Sequence, residues 1–267
     1  MLSQDATGGR TVVWPGSVTW SSGSAPVLTS TANGVDVIDF IYNGSSYIGI
    51  DATNPGSSAT STIAFDSSGG TVTTTGLPTS ISWSHTVSGS NRALVVFVYN
   101  ADGSGGGSDN ISSVTYNGTA MTRVNDAYTD NGQRIFGYIL LNPVTGTHTI
   151  SVTTSSSQNQ LGGVSLSYTG VRQTSEPEAY SSHDGTNRQL MVFTNVPTAN
   201  SWVVGATRNS LAAPSAAQGT TIRNTVNTMA GADSGGAVPD GARFLQWNLI
   251  SAAVWDGVAM SLAPLSN

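Results

Sequence analysis

Three histidines, His85, His148 and His183, are the imidazoles of a 267-residue chain rich in Ser and Asp. A serine hydrolase sets such a base beside a nucleophile on a strained turn, and no Gly-x-Ser-x-Gly elbow occurs. His85 and His148 fall in alternating, strand-like sequence where a solvent-facing or pairing imidazole is ordinary. His183, in SSHDGTNR, reads as a surface loop residue. Glycoside hydrolysis needs two carboxyl groups roughly 5–10 Å apart, one with its pKa raised by burial. The candidates are Asp126 with Asp130, Glu176 with Glu178 and Asp233 with Asp240, all in Gly- or Pro-bearing loops where solvated turn acids are expected. Asp36 and Asp39, three residues apart in one strand-like segment, fall on opposite faces. No catalytic residue is expected.

For metals, Asp102, Asp109 and Asn110 in ADGSGGGSDN offer calcium-type oxygen ligands, but without EF-hand spacing, so an ordinary glycine-rich loop is the expectation. His-Glu-x-x-His and phosphate-binding glycine motifs are absent, and no cofactor is expected. Sugar recognition asks for less: an aromatic face to stack on the ring, with Asn, Asp, Gln or Arg nearby to take its hydroxyls. The densest such group is Tyr128, Asp130, Asn131, Gln133 and Arg134. Tyr180, His183 and Asp184 come second. Capping of a sandwich by Tyr128 and Tyr180 is the competing reading. The six tryptophans lie mostly in strand patterns and read as core or subunit contacts.

The elements that would position these residues are strands. Hydrophobic residues make up 38% and charged residues 9%, with Ser, Thr, Gly and Asn between short apolar runs, as in a turn-dense all-β protein. Six Trp, eight Tyr and many Val and Ile argue against disorder. Cysteine is absent, so disulfides and thiolate metal sites are excluded. The nine basic residues are all Arg, against fifteen acids, and this net charge of −6 disfavours nucleic acid. No apolar run approaches the roughly 18 residues of a membrane span, and the start is unlike a signal peptide, so a soluble protein folded where it is made is expected.

Residues 1–52 read as a small antiparallel unit with strands at Arg10–Trp14, Ser17–Trp20, Val35–Tyr42 and Ser46–Ile50. Residues 53–62 read as a linker, and 63–267 as a β-sandwich with regularly spaced strands. Asn43-Gly44 and Asn117-Gly118 are hairpin signals. Neither a sustained helical period nor a repeat of 20–50 residues occurs, which weighs against a parallel β-helix.

Two segments resemble known families. Gln4-Asp5-Ala6-Thr7-Gly8-Gly9-Arg10-Thr11-Val12, Trp14-Pro15, Trp20, Thr31-Ala32-Asn33, Val35-Asp36, Phe40 and Tyr47-Ile48-Gly49 are similar to a recurrent module of tailed-phage fibre proteins. Such modules continue upstream into a shaft, so the chain is expected to be a fragment of a longer fibre. Ser82–Tyr99, Ile111–Val124, Tyr138–Pro143, Val164–Val171 and Val258–Pro264 resemble a jelly-roll-like sandwich domain of phage structural and bacterial secreted proteins, a family without agreed catalytic residues. The resemblances imply a virion protein made in the host cytoplasm: a distal tail fibre or receptor-binding protein, homotrimeric, contacting other virion proteins and a bacterial surface polysaccharide. Capsid decoration, or a head-fibre or collar role, is the alternative, and a capsular polysaccharide depolymerase the third reading.

Overall fold

A computed structural model describes residues 2–20, 25–26, 28–30, 32–50, 62–73, 75–101, 108–129 and 133–265. The described residues are all-β, and contacts divide the chain into two compact units, Met1–Thr60 and Ser61–Leu265.

In the first unit β1 (Leu2–Ser3) pairs antiparallel with β3 (Val35–Asp36). A three-stranded sheet, ordered β2-β5-β4, holds β2 (Val18–Trp20), β4 (Asp39–Tyr42) and β5 (Tyr47–Ile50). β4 runs antiparallel to β5, whereas β2 runs parallel to it. Arg10–Trp14 forms no strand, because the Gln4 side chain takes the place of a ladder. Its Oε1 accepts from Arg10 N at 2.7 Å, and its Nε2 donates to the carbonyls of Arg10 and Thr29. Asp5 Oδ1 accepts from Thr7 N and Gly8 N, and its Oδ2 holds Arg10, so the Gln-Asp-Ala-Thr-Gly-Gly-Arg run is one tied turn. Val35–Tyr42 is broken at Val37 and Ile38 into two strands of different sheets. The loop between β4 and β5 is wider than a two-residue turn, with Asn43 Oδ1 accepting from Ser45 N and Ser46 N. Trp14, Trp20 and Phe40 pack together, the two indoles edge-on at 5.0 Å.

The expected sandwich of the second unit is present twice. The first copy contains β6 (Ala64–Thr73), β7 (Ser80–Val87), β8 (Ala93–Ala101), β9 (Ile111–Tyr116), β10 (Thr119–Ala120), β11 (Thr122–Thr129), β12 (Gln133–Leu141), β13 (Gly146–Thr154) and β14 (Gln160–Thr169), in sheets ordered β11-β12-β8-β14-β6 and β10-β9-β13-β7. The second contains β15 (Ala179–Gly185), β16 (Gln189–Val196), β17 (Trp202–Asn209), β18 (Ser215–Ala216), β19 (Thr221–Val226), β20 (Met229–Asp233), β21 (Gly241–Asn248) and β22 (Trp255–Leu262), in sheets ordered β19-β20-β17-β22-β15 and β18-β21-β16. In each copy the first strand pairs with the last, the second with the next to last and the third with the one before that, a jelly-roll-like order.

The two copies agree in register. Val87 faces Gly146 as Val196 faces Gly241, and Tyr168 faces Ala93 as Leu262 faces Trp202. A β-bulge between Arg123 and Asn125 recurs between Ile222 and Asn224, each time where an Asn faces a Gly, Gly137 or Gly231. Asn91 and Asn200, in the turns before β8 and β17, are both left-handed at φ 51° and 67°. At Asn117 and Gly118 φ is 48° and 77°, the two-residue turn that the Asn-Gly pair predicts.

The two five-stranded sheets pack face to face, so β8 and β17 are buried on both sides and lack alternation. Val95, Phe97 and Tyr99 join a core shared with Val204, Val258 and Met260, while Leu94, Val96 and Val98 fill the first sandwich. Each fully buried large side chain contributes about 1.5–3 kcal/mol. β11 lies on β15 and β22, and the equivalent strand β19 lies on β6 and β14, so the copies meet about an approximate two-fold axis.

Candidate functional site

The seam between the two sandwiches brings together the strands that carry the polar residues that sequence singled out, β11 with β12 and β15. Tyr128, near the end of β11, is the register partner of Arg134 on β12, while Asp130 and Asn131 lie outside the described residues. Tyr180, His183 and Asp184 belong to the edge strand β15 rather than to a loop. Their polar alternation is that of a strand open to solvent along one edge. Because β11 packs on β15, the two candidate groups become neighbours, tied where Asn125 Nδ2 donates to Ser181 O at 2.6 Å. Tyr180, 59% exposed, faces Met260 in register and so borders the seam with Asp184. His183 takes the opposite face, its ring 5.7 Å from Phe193.

Gln133 and Arg134 likewise diverge. Arg134 turns toward Phe136 in the first sandwich, where it and Arg123 share Asp126 and Arg123 also holds Asp109. Both guanidiniums lie over the Phe136 ring, at 5.4 and 4.7 Å. The Asp109 oxygen considered for calcium thus accepts from Arg123, Asn110 uses its backbone to hold Ser155, and Asp102 is outside the described residues.

Deeper in the seam are residues that sequence reasoning passed over. Arg208 on β17 faces Asp256 on β22, which faces Asp184 on β15. The Arg208 guanidinium sits 5.0 Å over the Tyr99 ring and donates to Gln160 Oε1 at 3.2 Å. Among the described residues neither Asp256 oxygen has a hydrogen-bond partner on another residue, and Gln133 Oε1 is also unpartnered. Burial raises the Asp256 carboxyl to about 7, opposed by the Arg208 charge, and burial lowers Arg208. Asp256 therefore holds or releases a proton near neutrality. The available signal was one charge within each of two otherwise uncharged strand-length runs, WVVGATRN and WDGVAMSL.

Of the paired acids expected in solvated turns, Asp233 is buried and Asp126, Glu176 and Glu178 are half-buried. Asp233 is fully buried, accepting from Arg223 at 2.7 Å and from Tyr168 OH at 2.9 Å. Glu178 Oε1 accepts from the hydroxyls of Ser201 and Ser261. Glu176 pairs with Arg172 at 2.9 Å, and burial lifts its carboxyl to about 7. Asp240 alone of these is exposed. His85 is buried between Ser165 Oγ at 2.8 Å and Ser67 Oγ at 3.1 Å, and desolvation lowers its pKa to about 4. Ser67 donates to Thr86 O, and no carboxylate bonds the imidazole, so a nucleophile, base and orienting acid do not assemble.

Fold and seam define a chain with a small β unit followed by paired β-sandwiches. Residues 1–47 match the family model described as "Putative phage tail fibre C-terminal domain". That match supports a structural role in a phage tail fibre, within the virion and alongside its other components. No curated protein matches the chain. Among solved structures the ANX2 ectodomain of Arabidopsis thaliana is similar at 10% identity and a TM-score of 0.23, over 93% of this chain and 96% of that one, a likeness too low to bear on the fold. Among the described residues no helix is long and apolar enough to cross a membrane.

Proposed function

We propose that this protein is a distal tail-fibre or receptor-binding protein of a tailed phage that attaches the virion to a host surface glycan, without catalysis, as a homotrimer. The observation that carries the reading is the tail-fibre family match over residues 1–47. The seam supports glycan contact by placing exposed Tyr180 on the same strand face as Asp184, with β11 adjacent. Self-association is supported by β4, all four of whose residues are exposed, including Phe40, Ile41 and Tyr42, on a small unit that leaves this apolar strand uncovered. Linking copies multiplies weak sugar contacts through effective concentration.

The test is binding of the whole purified chain to host cells and to bacterial surface glycans, with the oligomeric mass read in parallel. Saturable binding to one glycan class, weakened by Tyr180→Ala, is expected. A chain that binds no host surface and labels phage heads rather than tail tips is a decoration protein, and the proposal fails.

A further inference from the structure

The internal repeat supplies a template for a cleft in the second sandwich. In the first sandwich the Tyr116 ring closes one end: it faces Ile150 in register, lies edge-on to His148 at 5.6 Å, and donates its hydroxyl to the carbonyls of Val144 and Gly146. In the second, Ala216 faces Trp247 as Val114 faces Val152, so Gln218 stands where Tyr116 stands and Arg243 where His148 stands. A short amide thus replaces an aromatic ring, leaving a cleft of about 320 Å³ lined by Val203, Ser234 and Val238, with Gln218 and Arg243 at its rim.

What fits is decided by Arg243. The carbonyl equivalent to Val144 O, that of Pro239, already accepts from Arg243 Nε, and those of Asp240 and Ala242 accept from the two terminal nitrogens. Three of five guanidinium N–H groups are engaged, the plane is fixed, and two donors remain. Among the described residues Arg243 meets no carboxylate within ion-pair distance, so its charge is uncompensated. The slot therefore offers donors and positive charge, suited to an anionic acceptor rather than to a phenol. Phe244, 41% exposed, lies 5.9 Å from Phe193, 45% exposed, an aromatic pair on the outer face of the small sheet, the face opposite to that of Arg243. The equivalent positions in the first sandwich are Thr149 and Ser84, so the fold itself does not require this pair.

We infer that this cleft binds the carboxylated pyranose ring of an acidic glycan, with the carboxylate on Arg243 and the ring against Val203 and Val238. The cleft is at the single-ring end of ligand-site sizes. This deepens the attachment reading and rests on it for the glycan, while the site itself can be tested alone.

The probe is D-glucuronate, with D-glucose as control, followed by ligand-observed NMR on the whole chain, beside an array of acidic and neutral polysaccharides. Wild type is expected to bind glucuronate, Gln218→Tyr to lose it by refilling the slot, and Arg243→Gln to weaken it roughly tenfold or more. Absence of a glucuronate signal in wild type, its survival in Gln218→Tyr, or full affinity in Arg243→Gln overturns the site. Polysaccharide binding that is equal in wild type and Gln218→Tyr overturns the site and leaves attachment standing. Glucuronate binding lost in Gln218→Tyr, with no polysaccharide bound, supports the site and sinks attachment.

Discussion

Tyr99 and Arg208 occupy equivalent positions in the two sandwiches, and yet they touch each other, guanidinium over ring at 5.0 Å. Equivalent positions can meet only near the axis that relates them. On that axis one copy carries an aromatic and the other a cation, and the Asp256 carboxyl faces that cation from the next strand. Arg208 and Asp256 are both buried but share no hydrogen bond, and burial disfavours the charged form of each. Asp256→Asn, which keeps the shape without the charge, is therefore expected to raise stability at pH 8 and leave it nearly unchanged at pH 5, by chemical denaturation.

Stability is expected to fall between pH 5 and pH 8. Asp256 and Glu176 are both raised to about 7, so the stability they contribute is complete below their ordinary values and lost as pH rises through 7. His85, lowered to about 4, acts oppositely, costing stability as pH falls from 6.5 toward 4. Two groups outweigh one. A thermal melt should therefore be higher at pH 5 than at pH 8, and Glu176→Gln should flatten the difference by raising the value at pH 8. A flat wild-type profile would contradict the buried carboxyls.

Gly137 and Gly231 are required by close approach. A Cβ on Gly231 would lie 2.9 Å from Val164 Cγ2, and one on Gly137 would lie 3.2 Å from Met260 Cε, in each case a side chain of the other copy. Gly231→Val is expected to cost about 1–3 kcal/mol by overpacking, with Gly137→Val similar, measured by denaturant midpoint.

In the first unit Gln4 substitutes for a strand ladder with three hydrogen bonds to backbone. Gln4→Ala leaves those groups without their partners, a loss of about 1–3 kcal/mol. Faster hydrogen exchange at Arg10, with the second unit unaffected, is the expected signature.

Sequence periodicity located the strands with strong apolar runs or clean alternation, β7, β8, β12, β14 and β17 among them. It passed over β15, whose AYSSHDG alternates only between small or polar groups, and β20, whose MAGAD is short and made of small residues. The repeat escaped because its period exceeds the 20–50 residues of common repeats and because the identities retained are scattered, among them the left-handed Asn91 and Asn200, the turn glycines Gly146 and Gly241, and the bulge-facing Gly137 and Gly231. Core packing tolerates exchanges such as Tyr168 for Leu262, whereas backbone geometry does not. At the seam, Tyr180 and Asp184 were legible from loop-like chemistry, while Arg208 and Asp256, each one charge in a strand buried on both faces, were not singled out.

The outer faces of the two small sheets have gone separate ways. Ser82, Ser84, Thr149 and Ser151 on one correspond to Met191, Phe193, Phe244 and Gln246 on the other. In a homodimer every substitution appears on both subunits, so a sticky residue that helps one surface burdens its twin. Joining the halves in one polypeptide removes that bond: selection can leave one surface inert and specialise the other, at no cost to the interface that holds them together.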